Sequence, residues 1–337
     1  MNDSVLVVGP SWVGDMVMAQ SLFISLRRRH PAMAIDVVAP DWSRPIVARM
    51  PEVREAIGLP IHHGRLGLAT RWRVGRALAR RNYGRAIVLP QSLKSALVPF
   101  FARIPRRTGF LGEHRRGLIN DVRPLDRSFR RPMVLRYLSL GLPPDSPEPL
   151  DIPHPAIRVD EIHRAALLET LELDLGRPLA VCVPGAEYGP AKAWPAESFA
   201  ELGRRLADSG FGVWILGSEA DRPLGERIRV AAGPTARDLC GRTSLEDAAD
   251  LLSLASVVVS NDSGLMHVAA AVGRPVVAVF GSSSPVYTPP LAARAEVLYL
   301  GLECSPCFER RCPLGHYGCL RGIPVDAVLA AVRRIAA

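Results

Sequence analysis

The sequence predicts an α/β protein built from two doubly wound, Rossmann-like domains with parallel sheets, which face each other across a cleft. Short apolar runs alternate with helical stretches, and the alternation starts again after residue 178. Strand–helix alternation of this kind is typical of doubly wound parallel sheets. In addition, six of the 13 residues 143–155 are proline, which indicates a stiff linker without helix. The predicted domains are therefore 1–150 and 151–323, followed by a C-terminal helix at 324–337.

The predicted strands are short, continuous apolar runs, which are typical of buried parallel strands. They cover residues 4–8, 34–39, 86–89, 179–183, 212–216, 257–260 and 275–280. The predicted helices have apolar residues at helical spacing; in the first, Met16, Ala19, Phe23 and Leu26 share one face, and Pro31 follows its end. The helices cover residues 16–29, 195–209, 244–254, 265–272 and 324–335.

The composition is that of a globular protein. The chain has 337 residues, of which 48% are hydrophobic and 22% charged, and this excludes disordered, fibrous and disulfide-dense classes. Neither a secretory signal nor an apolar run long enough for a transmembrane helix is visible, so we expect a cytoplasmic protein. In that compartment the six cysteines are not a disulfide framework.

The net charge of +9 is distributed unevenly. Residues 1–160 contain 25 Lys+Arg and 13 Asp+Glu, so all the excess positive charge lies in the first half. Such a half attracts nucleic acid, an anionic membrane surface or a phosphorylated substrate. Among the 42 basic residues only Lys94 and Lys192 are lysines, and a compact ammonium group suits a phosphate contact.

Two loops of the first half follow predicted strands and lead into helices. The loop at 9–15 (GPSWVGD) has glycines that permit close backbone approach, and the helix start after it favours anions. Asp15 is here either a helix-capping carboxylate or a general base. The loop at 91–97 places Ser92 and Lys94 at a helix start, which is either solvated or recognises substrate.

An arginine-rich stretch at 103–131 has phenylalanines interleaved with its basic residues. This combination is compatible with nucleic-acid binding, with a membrane surface or with a solvated basic face. The chain has none of the common nucleic-acid-binding motifs, which argues against the first alternative.

In the second half, the loops at 184–195, 260–267 and 281–285 follow predicted strands and are rich in glycine and hydroxyl groups. Lys192 stands just before a helix start, where a cation is unfavourable unless an anion lies between the lysine and the helix N-terminus. This position therefore predicts a diphosphate contact. Asp262 and Ser263 either cap the next helix or mark a phosphate site, and His267 is a core residue or a site residue. An anionic donor in one half and an acceptor in the other would describe group transfer.

Four cysteines form a separate cluster near the end of the sequence. Cys304, Cys307, Cys312 and Cys319 are spaced C-x2-C-x4-C-x6-C, with His316 among them. Metal ligands must be this close in sequence to form a knuckle, but the spacing matches no common zinc or cluster pattern. We therefore expect reduced cysteines in a packed loop and predict no metal site.

Four segments, in this order, resemble the heptosyltransferases of lipopolysaccharide core synthesis, which form glycosyltransferase family nine. They are GPSWVGDMVMAQ at 9–20, VLPQSLKSALVPFF at 88–101, PGAEYGPAKAWP at 184–195 and NDSGLMHVAAA at 261–271. The resemblance extends from residue 4 to about residue 330. It implies the GT-B arrangement of two Rossmann-like domains. It also implies an inverting transfer of L-glycero-D-manno-heptose from ADP-heptose that needs no cofactor.

The motifs are most similar to those of family members that add the second heptose, to the first heptose of Kdo2-lipid A. The alternatives are a sister heptosyltransferase with another acceptor, a sugar-nucleotide epimerase, a nucleotide-binding module without activity, and a basic nucleic-acid-binding protein. The partners that the resemblance implies are ADP-heptose, heptosyl-Kdo2-lipid A and an anionic inner-leaflet surface, without nucleic acid. The implied location is peripheral, on the cytoplasmic face of the inner membrane.

The resemblance also implies roles for individual residues. Asp15 matches the general base of the family, and Lys192 matches the lysine that contacts the donor diphosphate. The implied donor-binding residues are Gly14, Glu187, Lys192, Glu219, Asp262, Ser263, Gly264, Leu265 and His267. Among them Glu219 is a candidate for the ribose contact, and Asp221 is a second candidate. The implied acceptor-binding residues are Trp12, Ser92, Lys94 and Arg115.

Overall fold

Each half of the chain folds around its own parallel sheet. The structure is a computed structural model, and it describes residues 4–62, 64–125, 131–144, 146 and 151–336. The chain divides into two compact units, Met1–Ile157 and Arg158–Ala337. This division lies after residue 157, whereas the proline content had predicted it after residue 150. The prediction of two doubly wound parallel sheets is confirmed.

The first unit has, within its described residues, six parallel strands in the order β3-β2-β1-β4-β5-β6. The strands are β1 (Ser4–Val8), β2 (Ala34–Pro40), β3 (Val53–Leu59), β4 (Arg85–Val88), β5 (Arg106–Phe110) and β6 (Asp121–Arg123). The helices are α1 (Val13–Arg29), α2 (Arg44–Ala48), α3 (Leu68–Leu78), α4 (Leu97–Phe101) and α5 (Met133–Gly141). The strand order reverses between β1 and β4, and ligands of such sheets bind beside that reversal.

The second unit has the equivalent order, β12-β11-β10-β7-β8-β9, again for the described residues. Its strands are β7 (Leu179–Val183), β8 (Gly212–Ile215), β9 (Ala236–Asp238), β10 (Val257–Asn261), β11 (Val276–Val279) and β12 (Ala295–Leu298). Its helices are α6 (Glu161–Thr170), α7 (Ala196–Asp208), α8 (Arg222–Ala232), α9 (Leu245–Leu252), α10 (Gly264–Ala271), α11 (Gly318–Arg321) and α12 (Val325–Ile335). The reversal here lies between β7 and β10.

The seven predicted strands all form, with bounds that differ by at most two residues at either end. The strands that the apolar pattern did not predict are β3, β5, β6, β9 and β12. Four of these, all but β5, are edge strands, where one side meets solvent and polar residues are tolerated. Strand β5 was missed because it begins with two arginines, Arg106 and Arg107.

The predicted linker at 143–155 is attached to the first unit where the structure describes it; residues 145 and 147–150 lie outside the described residues. The side-chain amide of Gln20 on α1 donates to the Ala156 carbonyl (2.7 Å) and accepts from the Ala156 N–H (3.1 Å). The Ser21 hydroxyl donates to the Pro153 carbonyl at 2.6 Å. These bonds explain why the first unit extends to residue 157.

One carboxylate is fully buried in the first unit. Asp36 on β2 accepts hydrogen bonds from the Arg54 guanidinium (2.8 Å) and the Tyr83 hydroxyl (2.5 Å), and Arg81 lies 3.4 Å away. Burial alone would raise the pKa of Asp36, but the hydrogen bonds and the two arginine charges hold that pKa below its ordinary value. The pair of arginines therefore makes a buried negative charge tolerable in this sheet.

No helix in the described part of the chain has both the length and the apolar composition that a membrane crossing requires.

Candidate functional site

In the first unit, the loops that carry predicted site residues leave the carboxyl ends of the neighbouring strands β1 and β4. The strands are in register from Val5 to Val8, and the Leu89 N–H continues the pairing by donating to the Val8 carbonyl at 3.1 Å. The loop after β1 contains Trp12 and Asp15. The loop after β4 contains Ser92 and Lys94. The parallel pairing therefore brings both loops to the reversal in strand order.

Asp15 lies in the first turn of α1 and is half-buried. Trp12 occupies the N-cap position without a capping bond from its side chain, and Asp15 follows it in the first turn, near the cap as one interpretation of the sequence predicted. The positive end of the helix dipole favours a carboxylate in this turn. Gly14, beside it, is buried. The indole N–H of Trp42 donates to the Ser11 carbonyl (2.9 Å) and holds the loop from outside.

Ser92 and Lys94 are half-buried at the start of a short 3-10 turn, Leu93–Ala96. The Ser95 hydroxyl donates to the Ser92 carbonyl at 2.6 Å, and the Glu113 carboxylate accepts from the Leu93 N–H at 2.9 Å. The turn is thus fixed by the Ser95 and Glu113 side chains. The Lys94 ammonium takes no part in these bonds and has no acidic partner among the described residues.

The prediction that Arg115 contacts an acceptor is wrong in that form, because its side chain is fully buried. Its guanidinium donates to the carbonyls of Pro90 (2.7 Å), Ser92 (3.2 Å) and Phe110 (3.0 Å). Burial lowers the pKa of Arg115 to about 10, and the charge of Glu113 partly offsets this. Arg115 therefore stabilises the loop after β4 through hydrogen bonds to its backbone carbonyls.

Most of the arginine-rich stretch at 103–131 is also used inside the unit. Arg106 pairs with Asp121 at 2.8 Å, Arg107 donates to three backbone carbonyls, and Arg123 is buried. The interpretation of the whole stretch as a basic surface is therefore corrected; residues 126–130 lie outside the described residues.

In the second unit, Lys192 and Asp262 form an ion pair at the reversal between β7 and β10. The Lys192 ammonium lies 2.5 Å from the Asp262 carboxylate, and the two side chains are only 18% and 5% exposed. Lys192 also lies 5.0 Å from the centre of the Tyr188 ring, a cation–π contact. The loop after β7 and the turn after β10 are thus joined by one nearly buried charge pair.

The turn after β10 begins α10. The Ser263 hydroxyl accepts from the Met266 N–H (3.3 Å) and caps the helix, and Gly264 and Leu265 form its half-buried first turn. His267 follows and is buried. Burial lowers its pKa most strongly, the charge of Asp262 opposes this and the charge of Lys192 adds to it, and together they bring the pKa to about 4. The imidazole is therefore neutral near pH 7.

Asn261, the last residue of β10, begins the motif at 261–271 but was not predicted as a site residue. Its fully buried amide donates to the Pro184 carbonyl at 2.6 Å and accepts from the Trp194 N–H at 3.0 Å. One side chain thus holds both ends of the loop that carries Lys192. An asparagine at the end of a buried strand was the available signal, because a side-chain amide offers a donor and an acceptor on separate atoms and can join two backbone groups.

The other predicted donor residues lie on loops after β7 and β8. Glu187 is exposed. Glu219 is exposed and pairs with Arg222 at 3.0 Å. The Oδ2 atom of Asp221 accepts from the N–H (2.8 Å) and hydroxyl (2.7 Å) of Ser218 in a capping box, so this oxygen is already engaged.

The cysteine-rich segment supports the Lys192 loop. The Tyr188 hydroxyl donates to the Phe308 carbonyl (2.6 Å), and the Ala191 N–H donates to the Arg310 carbonyl (3.2 Å). Gly189 has a φ of 149°, and a side chain there would meet the Arg310 carbonyl oxygen. Close backbone packing against the cysteine-rich segment therefore requires glycine at this position.

Cys304, Cys307, Cys312 and Cys319 line one cavity of about 20 Å³ beside Ala191 and Ser282. All six cysteines, each within the described residues, are free thiols. No group of three or more His, Cys, Asp or Glu side chains in the described ranges is arranged to hold a metal ion. Ser282 and Ser283, in the loop after β11, are buried, and their hydroxyls have no hydrogen-bond partner among the described residues.

Comparison with known proteins gives one consistent result. The model of glycosyltransferase family 9 (heptosyltransferase) matches residues 71–318. The chain is 47% identical over 307 residues to lipopolysaccharide heptosyltransferase 2 of Salmonella typhimurium, which covers 88% of each chain. It is 27% identical over 330 residues to lipopolysaccharide heptosyltransferase 1 of Pseudomonas aeruginosa, covering 91% of this chain and 87% of that one.

Among solved structures, the chain is similar to the ADP-heptose LPS heptosyltransferase II of Escherichia coli. The TM-score is 0.87 at 42% identity, and the match covers 99% of this chain and 98% of that one. These matches confirm the resemblance drawn from the four motifs and the GT-B fold class. The chain belongs to glycosyltransferase family 9, the heptosyltransferases.

Proposed function

We propose that this enzyme transfers L-glycero-D-manno-heptose from ADP-heptose to the first heptose of Kdo2-lipid A, with inversion at the anomeric carbon. The observation that carries the proposal is the nearly buried Lys192–Asp262 pair at the start of α10. A cation held at a helix start, beside the reversal in strand order, suits the diphosphate of a nucleotide sugar. The higher identity to heptosyltransferase 2 than to heptosyltransferase 1 supports the choice of acceptor.

In this proposal the second unit binds the donor. Lys192 contacts the diphosphate, and Ser263, Gly264 and Leu265 present the first turn of α10 to phosphate and sugar. The positive charge and the helix dipole stabilise the negative charge that develops on the departing ADP. Glu219 is the ribose candidate that keeps an exposed carboxylate, whereas Asp221 is occupied as a cap.

The first unit supplies the general base. An acceptor hydroxyl oxygen attacks the anomeric carbon while the bond from that carbon to the diphosphate oxygen breaks, and Asp15 takes the hydroxyl proton. Asp15 lies in the first turn of α1, where the helix dipole favours a negatively charged side chain, and a carboxylate can accept this proton. Trp12, Ser92 and Lys94 are the proposed acceptor contacts. The enzyme acts at the cytoplasmic face of the inner membrane, where its lipid acceptor is anchored.

The test is a transfer assay followed by mass spectrometry, with ADP-heptose and Kdo2-lipid A that either carries or lacks the first heptose. We expect one heptose to be added to the heptosylated acceptor alone. Addition to the unheptosylated acceptor would establish the sister activity instead.

The assignment of the base is tested with Asp15→Asn. We expect transfer to fall by at least about a hundredfold, the usual worth of general base catalysis, while ADP binding by calorimetry stays unchanged. Asp151→Asn, at an exposed carboxylate of the same unit that pairs with Arg28, is the control and should transfer normally. Near-normal transfer by Asp15→Asn would exclude Asp15 as the base.

A further inference from the structure

A long segment of the first unit has no acidic residue. Residues 56–112 contain eleven Lys+Arg and neither Asp nor Glu, although the whole chain has 33 Asp+Glu in 337 residues. The segment runs from the end of β3 through α3, β4, α4 and β5. Its positive charge therefore cannot be neutralised by its own neighbours in sequence.

Part of this charge is used inside the unit, by the arginines that bond to carboxylates or carbonyls. They are Arg71, Arg81, Arg85, Arg106 and Arg107. A second group is exposed and has no acidic partner among the described residues. It consists of Arg65, Arg73, Arg76, Arg80 and Arg103. A structural role explains the first group but not the second.

The exposed group lies on α3 and on the segments just outside α3 and α4, two helices that pack together. Gly75 of α3 meets α4 so closely that a side chain there would lie 2.6 Å from the Phe101 Cβ and 2.8 Å from the Val98 carbonyl oxygen. Large apolar side chains are exposed beside the arginines: Leu66 (51%), Leu68 (51%), Trp72 (54%) and Phe100 (43%). We call the surface formed by these four side chains and the five exposed arginines the α3–α4 face.

The α3–α4 face has a regular arrangement on α3. Leu68, Trp72 and Arg76 of α3 and Arg80 of the 3-10 turn after it follow one another at intervals of four residues, so apolar side chains come first and arginines last. The stripe starts at the first residue of α3, the helix that follows the carboxyl end of β3, and the Asp15 loop leaves the carboxyl end of β1 in the same parallel sheet.

An open groove of about 1440 Å³ extends the face at the amino ends of β1, β4 and β5. Arg76, Arg80 and Arg103 line it, from the ends of α3 and α4. Arg103 and Asn82, both in its wall, have positive φ values of 54° and 52°, a conformation that side chains rarely adopt. The groove lies at the opposite end of the sheet from the loops that carry Asp15 and Ser92, so it is not part of the proposed active site.

We propose that the α3–α4 face docks this enzyme on a bilayer that contains anionic phospholipid. Trp72, Leu66, Leu68 and Phe100 enter the interfacial layer, and the exposed arginines meet lipid phosphates along the face and in the groove. Aliphatic side chains such as Leu66 and Leu68 gain from contact with lipid and gain nothing from nucleic acid. A second copy of the chain is disfavoured because two such positive faces repel each other. The inference rests on the proposed function only in that the acceptor is a lipid.

The experiment is co-sedimentation of the purified full-length chain with vesicles of phosphatidylcholine alone or with 30% phosphatidylglycerol. We expect binding to the anionic vesicles only, and weaker binding as salt is raised. Each arginine near an anionic surface is worth about fivefold in partitioning, so the triple variant Arg76→Gln, Arg80→Gln, Arg103→Gln should bind about a hundredfold more weakly. Leu68→Ser with Trp72→Ser should reduce binding at high salt as well as at low salt.

The matched control is the triple variant Arg204→Gln, Arg222→Gln, Arg229→Gln in the second unit. It removes the same net charge from exposed arginines, which all pair with glutamates there. We expect its vesicle binding to stay within about twofold of the unaltered chain. An equal loss in both triple variants, or a gel shift with RNA in place of vesicle binding, would overturn the proposal.

Transfer to a delipidated, water-soluble acceptor separates this proposal from the proposed function. The triple variant Arg76→Gln, Arg80→Gln, Arg103→Gln should transfer heptose to that acceptor at the unaltered rate, because a soluble acceptor does not require docking on a membrane. Vesicle binding without any transfer by the unaltered chain would contradict the function and leave the docking face intact.

Discussion

Replacing Asn261 tests the argument that one buried amide holds the Lys192 loop in place. Asn261→Ala removes the donor to the Pro184 carbonyl and the acceptor for the Trp194 N–H. Both backbone groups are then left unsatisfied in the interior, because Pro184 and Trp194 are buried. An unsatisfied buried polar group costs about 1–3 kcal/mol, so the second unit should lose about 2–6 kcal/mol of its free energy of unfolding.

Differential scanning calorimetry measures this loss. For a domain of this size about 1 kcal/mol corresponds to a shift of roughly 2–4 °C in Tm, so we expect the melting of the second unit to fall on the order of 10 °C. Binding of ADP should weaken as well, because Lys192 sits on the released loop. Every 1.4 kcal/mol needed to restore the loop costs about tenfold in affinity.

Asn120 provides the control, since its amide makes the same two kinds of bond at an exposed position. It accepts from the Arg107 N–H (2.8 Å) and donates to the Pro105 carbonyl (2.7 Å) in the first unit. Water replaces both bonds in Asn120→Ala, so the loss should stay near 1 kcal/mol. Equal losses in the two alanine variants would refute the reasoning, because burial is the difference between the two sites.

Three further substitutions test other parts of the structure. Asp36→Asn should destabilise the first unit by about 1–3 kcal/mol in urea unfolding, because the half-exposed Arg54 and the buried Tyr83 hydroxyl lose a charged hydrogen-bond acceptor. The contribution of Asp36 is present above about pH 4 and lost as the pH falls below that, so the difference between the variant and the unaltered chain should vanish in acid. The unaltered chain should lose up to about 3 kcal/mol of stability between pH 6.5 and 4 through His267, because the unfolded state binds the proton first. His267→Gln should lack this loss, and equal dependence of stability on pH in the two chains would contradict the buried imidazole. Arg115→Met should raise KM for the acceptor and leave calorimetric ADP binding unchanged, whereas a changed ADP affinity would show that Arg115 does not act through the loop after β4.

The sequence predicts the centre of each sheet better than its edges. Strands β1 and β7 were placed at their observed bounds, because all five residues of each are buried and all except Ser4 are apolar. Strand β12 alternates exposed and half-buried residues at a sheet edge, so its apolar pattern is weak. Edge strands depend on pairing with a neighbour that local patterns do not reveal.

The site was predicted in the same uneven way. Lys192 and Asp262 were found because a lysine before a helix start and an aspartate after a buried strand each have a local electrostatic meaning. Their pairing with each other, across 70 residues of sequence, came only from the fold. Arg115 was misassigned because an arginine in a basic stretch gives no local sign that its partners are backbone carbonyls.

The repeated strand order has a consequence for how the two units diverge. In both, the loop after the first strand of the sheet leads to the reversal in strand order, yet it carries Asp15 in one unit and Lys192 in the other. The strands from which these loops leave, β1 and β7, are buried and apolar apart from Ser4, so they do not depend on the sign of the charge that follows them. Exchange of a few loop residues can therefore turn one α/β scaffold from a proton acceptor into an anion holder, which makes the loops, rather than the sheets, the units of functional change and the parts to exchange when the enzyme is redesigned.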